Sequence, residues 1–217
     1  MHNSPLSLDA ILHATKQRLL EAAGPIFAAD GYEGASVRAI CSAAKVNIAA
    51  IKYHFGHKLG LYQAVLGSAN AFANARYPFP TQTDPAERLG AVIRCLVARV
   101  LDPGRPAWHA RLMSREMADP SPSFGLIVEQ MAKPLIEQME LTVRDLLPAD
   151  YPPEEVRLHA RSVFGQCLFY RHAAPLLRHL HPTDDPATHI DEIVAHITRF
   201  SLAGLADRRR ATPASIL

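Results

Sequence analysis

The stretch from Ser36 to Phe55, SVRAICSAAKVNIAAIKYHF, constrains this chain more than any other. Ser36 is a good N-cap, with a side-chain oxygen free to accept an orphan amide of the first turn. Val37, Ile40 and Cys41 then recur at helical spacing and make one apolar edge. Ala44-Lys45-Val46 breaks the pattern, and Asn47 caps again. Ile48, Ile51 and Phe55 make the apolar edge of a second helix. Each helix has about two turns, too few to be stable alone, so the pair needs a supporting scaffold. Two short helices crossing over a turn of about three or four residues form a helix-turn-helix.

The charge around this stretch points to its partner. No acidic residue lies between Glu33 and Asp84, whereas the interval carries Arg38, Lys45, Lys52, Lys58 and Arg76 with His54 and His57. The whole chain of 217 residues is nearly balanced, at +2, so the bias is local. A positive face with small residues on the exposed side of the second helix suits a phosphate backbone and a major groove. A merely solvated basic face is the bland alternative. The second helix is the expected reader, with Ala49, Ala50, Lys52 and Tyr53 on the side away from Ile48, Ile51 and Phe55. Alanines allow close approach to base edges and can touch a thymine methyl. Tyr53 and His54 suit phosphate contacts, although His54 can equally pack to stabilise the turn. Lys52 can reach a guanine edge or a phosphate. Lys58 opens the next helix, where the macrodipole also favours a phosphate. Arg38 can bond phosphate or enter the groove edge. Ser36, Lys45 and Asn47 complete the candidate DNA-binding set.

These residues resemble the TetR/AcrR family of bacterial transcriptional regulators. The resemblance is carried by Ser36-Val37-Arg38-Ala39-Ile40, Ala44-Lys45-Val46-Asn47, Tyr53-His54-Phe55, Lys58 and Leu61-Tyr62, with the preceding helix ATKQRLLEAAGPIFAADGYEGAS. Two positions depart from it. Lys52 stands where the family usually has Tyr, and Lys45 where it usually has Gly. The family turn tends toward positive φ there, which costs a lysine about 1 kcal/mol. Downstream, Trp108 to Pro120, with Arg115-Glu116-Met117, looks like the CerR-type C-terminal domain found on some of these regulators.

The rest of the chain reads as helix after helix. A first helix over about 10–30 carries Leu12, Leu19, Ala22, Ala23, Ile26 and Phe27, with Pro25 inside it and Gly31 as its C-terminal glycine. A fourth helix spans 57–76, and the segment YPFPTQTDP is the linker candidate. The expected domains are 1–76, the helix-turn-helix domain with its linking helix, and 77–217, a helical effector-binding and dimerisation domain. Asp84-Pro85 opens a helix to Leu101, an N-cap followed by Pro at the first position. Helices over 107–118, 122–147 (interrupted at Pro134), 154–180 and 186–210 follow, with Arg208-Arg209-Arg210 suited to the last C-terminus. No period-2 strand pattern of any length occurs, so the expected fold is all-α.

Several function classes drop out. There is no GxSxG, P-loop, GxGxxG or HExxH, so no enzyme chemistry or cofactor is expected. Cys41, Cys95 and Cys167 are widely spaced and form no CxxC pair. His172, His179, His181, His189 and His196 lack a carboxylate or thiol to complete a metal set. No basic n-region precedes an apolar core and no run spans a bilayer, so a cytoplasmic protein with no membrane partner is expected. A small-molecule pocket in the C-terminal domain has Trp108, Met113, Arg115, Glu116, Met117, Phe124, Met131, Phe169 and Tyr170 as candidates. At helical spacing, Met and aromatic residues are equally read as core. Arg115 and Glu116 either line that pocket, form an ion pair, or cap a neighbouring helix. The resemblance implies a homodimeric regulator, most often a repressor, that binds a near-palindromic double-stranded operator and responds to a small-molecule effector. Dimerisation is expected through the last two long helices, with Val163, Leu168, Phe169, Ile193, Val194, Ile197, Phe200 and Leu205 facing the mate. The alternatives are an activator of the same fold and a small helical adaptor or enzyme with a basic face.

Overall fold

The computed structural model describes residues 8–104 and 106–206. Among them there is no strand, and the chain is all-α. Helix α1 (Leu8–Gly34) is followed by α2 (Val37–Ala44), α3 (Ala49–Phe55), α4 (Lys58–Arg76) and α5 (Pro85–Leu101). Then come α6 (Ala107–Ala118), the single turn α7 (Phe124–Ile127), a π-helical turn (Val128–Ala132) and α8 (Lys133–Leu146). The chain closes with α9 (Pro153–His172), α10 (Ala174–Leu180), a 3₁₀ turn (Pro186–Thr188) and α11 (Ile190–Ala206). The expected extension to residue 210, with Arg208-Arg209-Arg210, lies outside the described residues, as does the N-terminal stretch before Leu8.

Local chemistry accounts for most boundaries. Gly31 takes φ 74° inside α1 and breaks its regular geometry there. The Asp84 side chain accepts the Glu87 amide at 2.8 Å and Pro85 fills the first turn, so α5 starts where the sequence places it. Two expected long helices are broken instead. Pro134 has no N–H for the carbonyl of Gln130, which accepts from Asn70 Nδ2 at 3.3 Å; the helix widens into the π turn just before it. Pro175 sits in the first turn of α10 and likewise ends α9 at His172.

The chain folds into two compact units that do not follow chain order. The first contains the described residues up to Arg76 together with Pro103–Met131. Its core joins Leu19, Ala23 and Phe27 of α1 to Ile40, Cys41 and Ile51 of the two short helices and to Leu61, Tyr62, Val65 and Leu66 of α4. Leu112 of α6 and Ile127 complete it. The second unit contains Tyr77–Asp102 and the described residues from Ala132 onward. There α5 is the central helix, packed against α8, α9 and α11 through Leu89, Val92, Ile93, Leu96 and Val97. The Pro-rich segment after Arg76 is tied to α5: Arg99 donates to the Tyr77 carbonyl at 2.7 Å and lies over the Phe79 ring, while the Tyr77 hydroxyl donates to Asp102.

All three cysteines are free and buried. Burial raises the Cys41 thiol and pushes Cys167 up to about 12, so both stay protonated and behave as small apolar groups. Among the described residues, no three His, Cys, Asp or Glu side chains converge on a metal position, and no helix is long and apolar enough to cross a membrane.

Candidate nucleic-acid interface

The turn between α2 and α3 is built on local hydrogen bonds. Ser36 Oγ accepts the Ala39 amide at the start of α2. At its end the Lys45 amide donates to Ser42 O and the Val46 amide to Cys41 O, both near 3 Å. That paired arrangement needs a left-handed residue, and Lys45 supplies it at φ 54°, ψ 47°. Lys45 is the only non-glycine residue with positive φ among the described residues. Asn47 Oδ1 then accepts the Ala49 amide at 2.8 Å and caps α3. Gly56, at φ 75°, closes α3, and His57 Nδ1 accepts the Gly60 amide in the first turn of α4.

This scaffold fixes which side chains face water. Arg38, Lys45, Asn47, Ala49 and Lys52 are exposed, and Tyr53 is 70% exposed. Tyr53 stands edge-on to the His54 ring at 4.9 Å, and His54 is half-buried beside Phe55. The expected partition of α3 is corrected at two positions. Ala50 is half-buried and packs on the core, whereas Ile48 is 52% exposed. Ile48 keeps a helical backbone (φ −59°, ψ −28°) just before α3, but the buried face of the helix swings toward Ala50 and Ile51, which leaves Ile48 outward with Lys52. Lys58 differs too: its ammonium donates to the Glu33 carbonyl at 3.0 Å and sits over the Tyr32 ring, 4.9 Å from its centre. It thereby ties the start of α4 to the loop that enters α2.

The candidate effector residues divide between the units. Trp108 packs its indole on Gly24, where a Cβ would lie 2.6 Å from the ring, and Met113 and Met131 pack on the first core. Phe124 is half-buried and Met117 exposed. Phe169 and Tyr170 belong to the second unit, in edge-to-face contact. Arg115 and Glu116 hold different partners. Arg115 donates to the carbonyls of Ala29 and Asp30 at 3.1 and 3.3 Å, and it occupies space that a Cβ on Gly31 would need. Glu116 is 2% exposed and accepts from the Tyr62 hydroxyl and from the Ser121 amide at 3.2 Å. Burial first, then the hydrogen bond to Glu116 and its negative charge, raise the Tyr62 phenol well above its ordinary value. A small cavity of about 180 Å³ adjoins Arg115 and Glu116. In the second unit, a cavity of about 320 Å³ is lined by Ile136, Met139, Glu140, Arg161, Phe164 and Gly165, none of them singled out by the sequence. The signal that was available is the run of small and apolar residues at helical spacing on the facing sides of α8 and α9.

The expected dimer residues are corrected as well. Val163, Ile193, Val194, Ile197 and Leu205 are buried within the chain's own second core, so their side chains are not available to a mate. On α9 and α11 the exposed large apolar side chains are Leu158, Phe169 and Phe200.

Comparison with known proteins agrees with this architecture. Residues 19–65 match the model of bacterial regulatory proteins of the tetR family, and residues 85–205 match the C-terminal domain of the HTH-type transcriptional dual regulator CecR. The second match names the C-terminal domain type as CecR. The HTH-type transcriptional dual regulator CecR of Shigella flexneri is 29% identical over 185 residues, covering 79% of this chain and 81% of the relative. A TetR-like transcriptional regulator from Rhodococcus sp. RHA1 superposes with a TM-score of 0.61 at 20% identity, covering 94% of this chain and 100% of that one. AibR, solved in complex with isovaleryl coenzyme A and operator DNA, superposes with a TM-score of 0.62 at 18% identity, covering 86% and 97%. With the helix-turn-helix geometry, its exposed basic face and a matching domain over more than half of its length, the chain belongs to the TetR family of bacterial transcriptional regulators and carries a CecR-type C-terminal domain.

Proposed function

We propose that the chain is a homodimeric regulator that binds a near-palindromic operator and is released from it by a small molecule, acting most often as a repressor. The observation that carries this reading is the outward face of α3. Ala49, Lys52 and Tyr53 are exposed, as are Arg38 and Lys45 of the same helix-turn-helix, on a stretch that lacks any acid from Gly34 to Thr83. Arg38, Lys45, Lys52, Tyr53 and His54 are assigned to phosphates and the groove, while Ser36 and Asn47 hold the two helix starts. Lys58 positions the loop and can reach a phosphate only by leaving the Glu33 carbonyl. The effector is assigned to the C-terminal domain; AibR, which shares the fold, is solved with both isovaleryl coenzyme A and operator DNA. Two cavities along α8 and α9 reach the size range of small-molecule sites, one of about 320 Å³ at Met139 and Phe164 and one of about 400 Å³ at Arg144 and Arg157. The Arg115–Glu116 cavity is smaller, and both side chains already hold protein partners. An effector that binds the DNA-free conformation better than the bound one shifts the population away from the operator. Because the Shigella relative is named a dual regulator, activation at some promoters is the second reading. No catalytic role is assigned, and we place the protein in the cytoplasm.

The test is a gel-shift titration with duplex DNA from upstream of the protein's own gene, at two salt concentrations, with excess competitor DNA. A shift that survives competitor and weakens steeply with salt is expected. A shift lost to competitor with every upstream region tried would overturn the operator-binding reading.

A further inference from the structure

We propose that Ile48 is a specificity-determining residue whose side chain reads a thymine methyl group in the major groove. The inference rests on α3 being the reader, as stated above. Ile48 is a large apolar residue left 52% exposed, and nothing in the fold accounts for its type. It stands at the N-cap position of α3 but its side chain cannot accept an amide, a task the Asn47 side chain performs. It does not fill the core either, because Ile51, Ala50 and Phe55 already occupy the inward side of α3. A single exposed isoleucine is ordinary on a protein surface. This one is part of a pattern. Ile48 with Lys52, and Ala49 with Tyr53, are two pairs four residues apart, and they form one outward stripe.

The chemistry of that stripe selects the ligand. Its field is positive, with Lys45 and Lys52 exposed and no acid nearby in sequence, so a polyanion is the occupant that matches its charge. Within the major groove, every base edge presents hydrogen-bonding groups, and only thymine adds an apolar group, its C5-methyl. An isoleucine has no donor or acceptor to offer guanine, cytosine or adenine. Set against those edges it leaves polar groups unpaired, whereas against a thymine methyl it buries apolar area on both sides. Ala49 beside it has no bulk to hold the helix away from the base.

The experiment begins by selecting duplexes from a randomised library with the full chain. Each thymine of the selected site is then replaced by deoxyuridine, which removes the methyl and keeps the base pair. For the wild type, one thymine in each half-site is expected to show a loss of affinity on the order of fivefold. Ile48→Ala is expected to bind the thymine duplex more weakly and to bind the thymine and deoxyuridine duplexes equally, with an unchanged melting temperature. Ile48→Val is expected to keep part of the discrimination. An Ile48→Ala variant that retains the full deoxyuridine penalty overturns the inference, as does a wild type that shows no penalty at any thymine. If selection with the wild type returns no preferred duplex, the reader assignment itself fails and this inference falls with it. That failure is distinguishable because it appears before any variant is made. Preferential capture of a protein ligand by this face, with no DNA preference, is the same outcome.

Discussion

Two single residues carry measurable consequences. Lys45 holds the left-handed position that ends α2, where a side chain with a Cβ is strained by about 1 kcal/mol. The hydrogen bonds of the turn come from the backbone and survive substitution. Lys45→Gly is therefore expected to raise the melting temperature by about 2–4 °C, less whatever a glycine adds to unfolded-state entropy. The same change is expected to weaken DNA binding through the lost charge. A lower melting temperature by calorimetry would remove the strain account. Tyr62 gives a pH dependence. Its phenol is raised in the folded protein by burial and by Glu116, while in the unfolded chain it ionises near its ordinary value of about 10. Above that pH the unfolded chain binds fewer protons than the folded one, so stability is fully present below about pH 10 and falls as pH rises further. Tyr62→Phe is expected to flatten this alkaline decline. It also costs about 1–3 kcal/mol at neutral pH by leaving a buried Glu116 oxygen without its donor. Urea denaturation between pH 7 and pH 11 measures both effects.

At the scale of elements, α6 holds the first unit together from a distant part of the sequence. Arg115 holds carbonyls at the end of the regular part of α1, just before the loop into α2, and Glu116 holds α4 through Tyr62. Arg115→Met is expected to destabilise the protein by about 1–2 kcal/mol, since the two carbonyls lose charged donors in a partly buried place. Arg115→Lys is expected to restore only part of this, because an ammonium cannot fork to two carbonyls. Equilibrium unfolding of both variants decides it, and an Arg115→Met variant as stable as the wild type would show the contact to be idle. What the sequence revealed and what it hid follow the same division between local and distant. Ser36, Asn47, Gly31 and Asp84-Pro85 act on their own turns, so α1 to α5 were legible from caps and periodicity alone. Pro175 is a local signal set within an apolar run, and Pro134 acts a few residues upstream of its own position. That α6 joins the first unit was not legible, because it depends on partners such as Arg115 and Ala29, far apart in sequence. The outward turn of Ile48 was hidden for a different reason. Ile48 follows the helical path, so periodicity sets it on the edge shared with Ile51 and Phe55; how far the buried face swings toward Ala50 depends on core partners distant in sequence.

For the whole molecule, one helix-turn-helix spans too few base pairs to select a site. A two-fold dimer sets two readers in successive major grooves, roughly 34–36 Å apart. In the proposed dimer the mate is met by side chains the chain does not use for itself. Those of Val163, Ile193, Val194, Ile197 and Leu205 are spent in the second core, which leaves Leu158, Phe169 and Phe200 on α9 and α11. Phe200 is 63% exposed and stacks with His196 one turn earlier, so an aromatic surface is already ordered there. Because Phe200 adds little to the fold of a single chain, Phe200→Lys is expected to leave helicity and the unfolding of the monomer close to the wild type. Set against an apolar partner surface, the lysine leaves a charge unpaired and removes the ring's buried area, so the dimer is weakened. Sedimentation velocity at micromolar concentration is expected to show a shift from dimer to monomer. Affinity for a palindromic duplex is expected to fall at least about tenfold, as for an interface anchor of this size, while the weak affinity for a single half-site is unchanged. A variant that stays dimeric and binds the palindrome normally would move the interface away from the exposed face of α11 and return the exposed aromatic ring to ordinary surface.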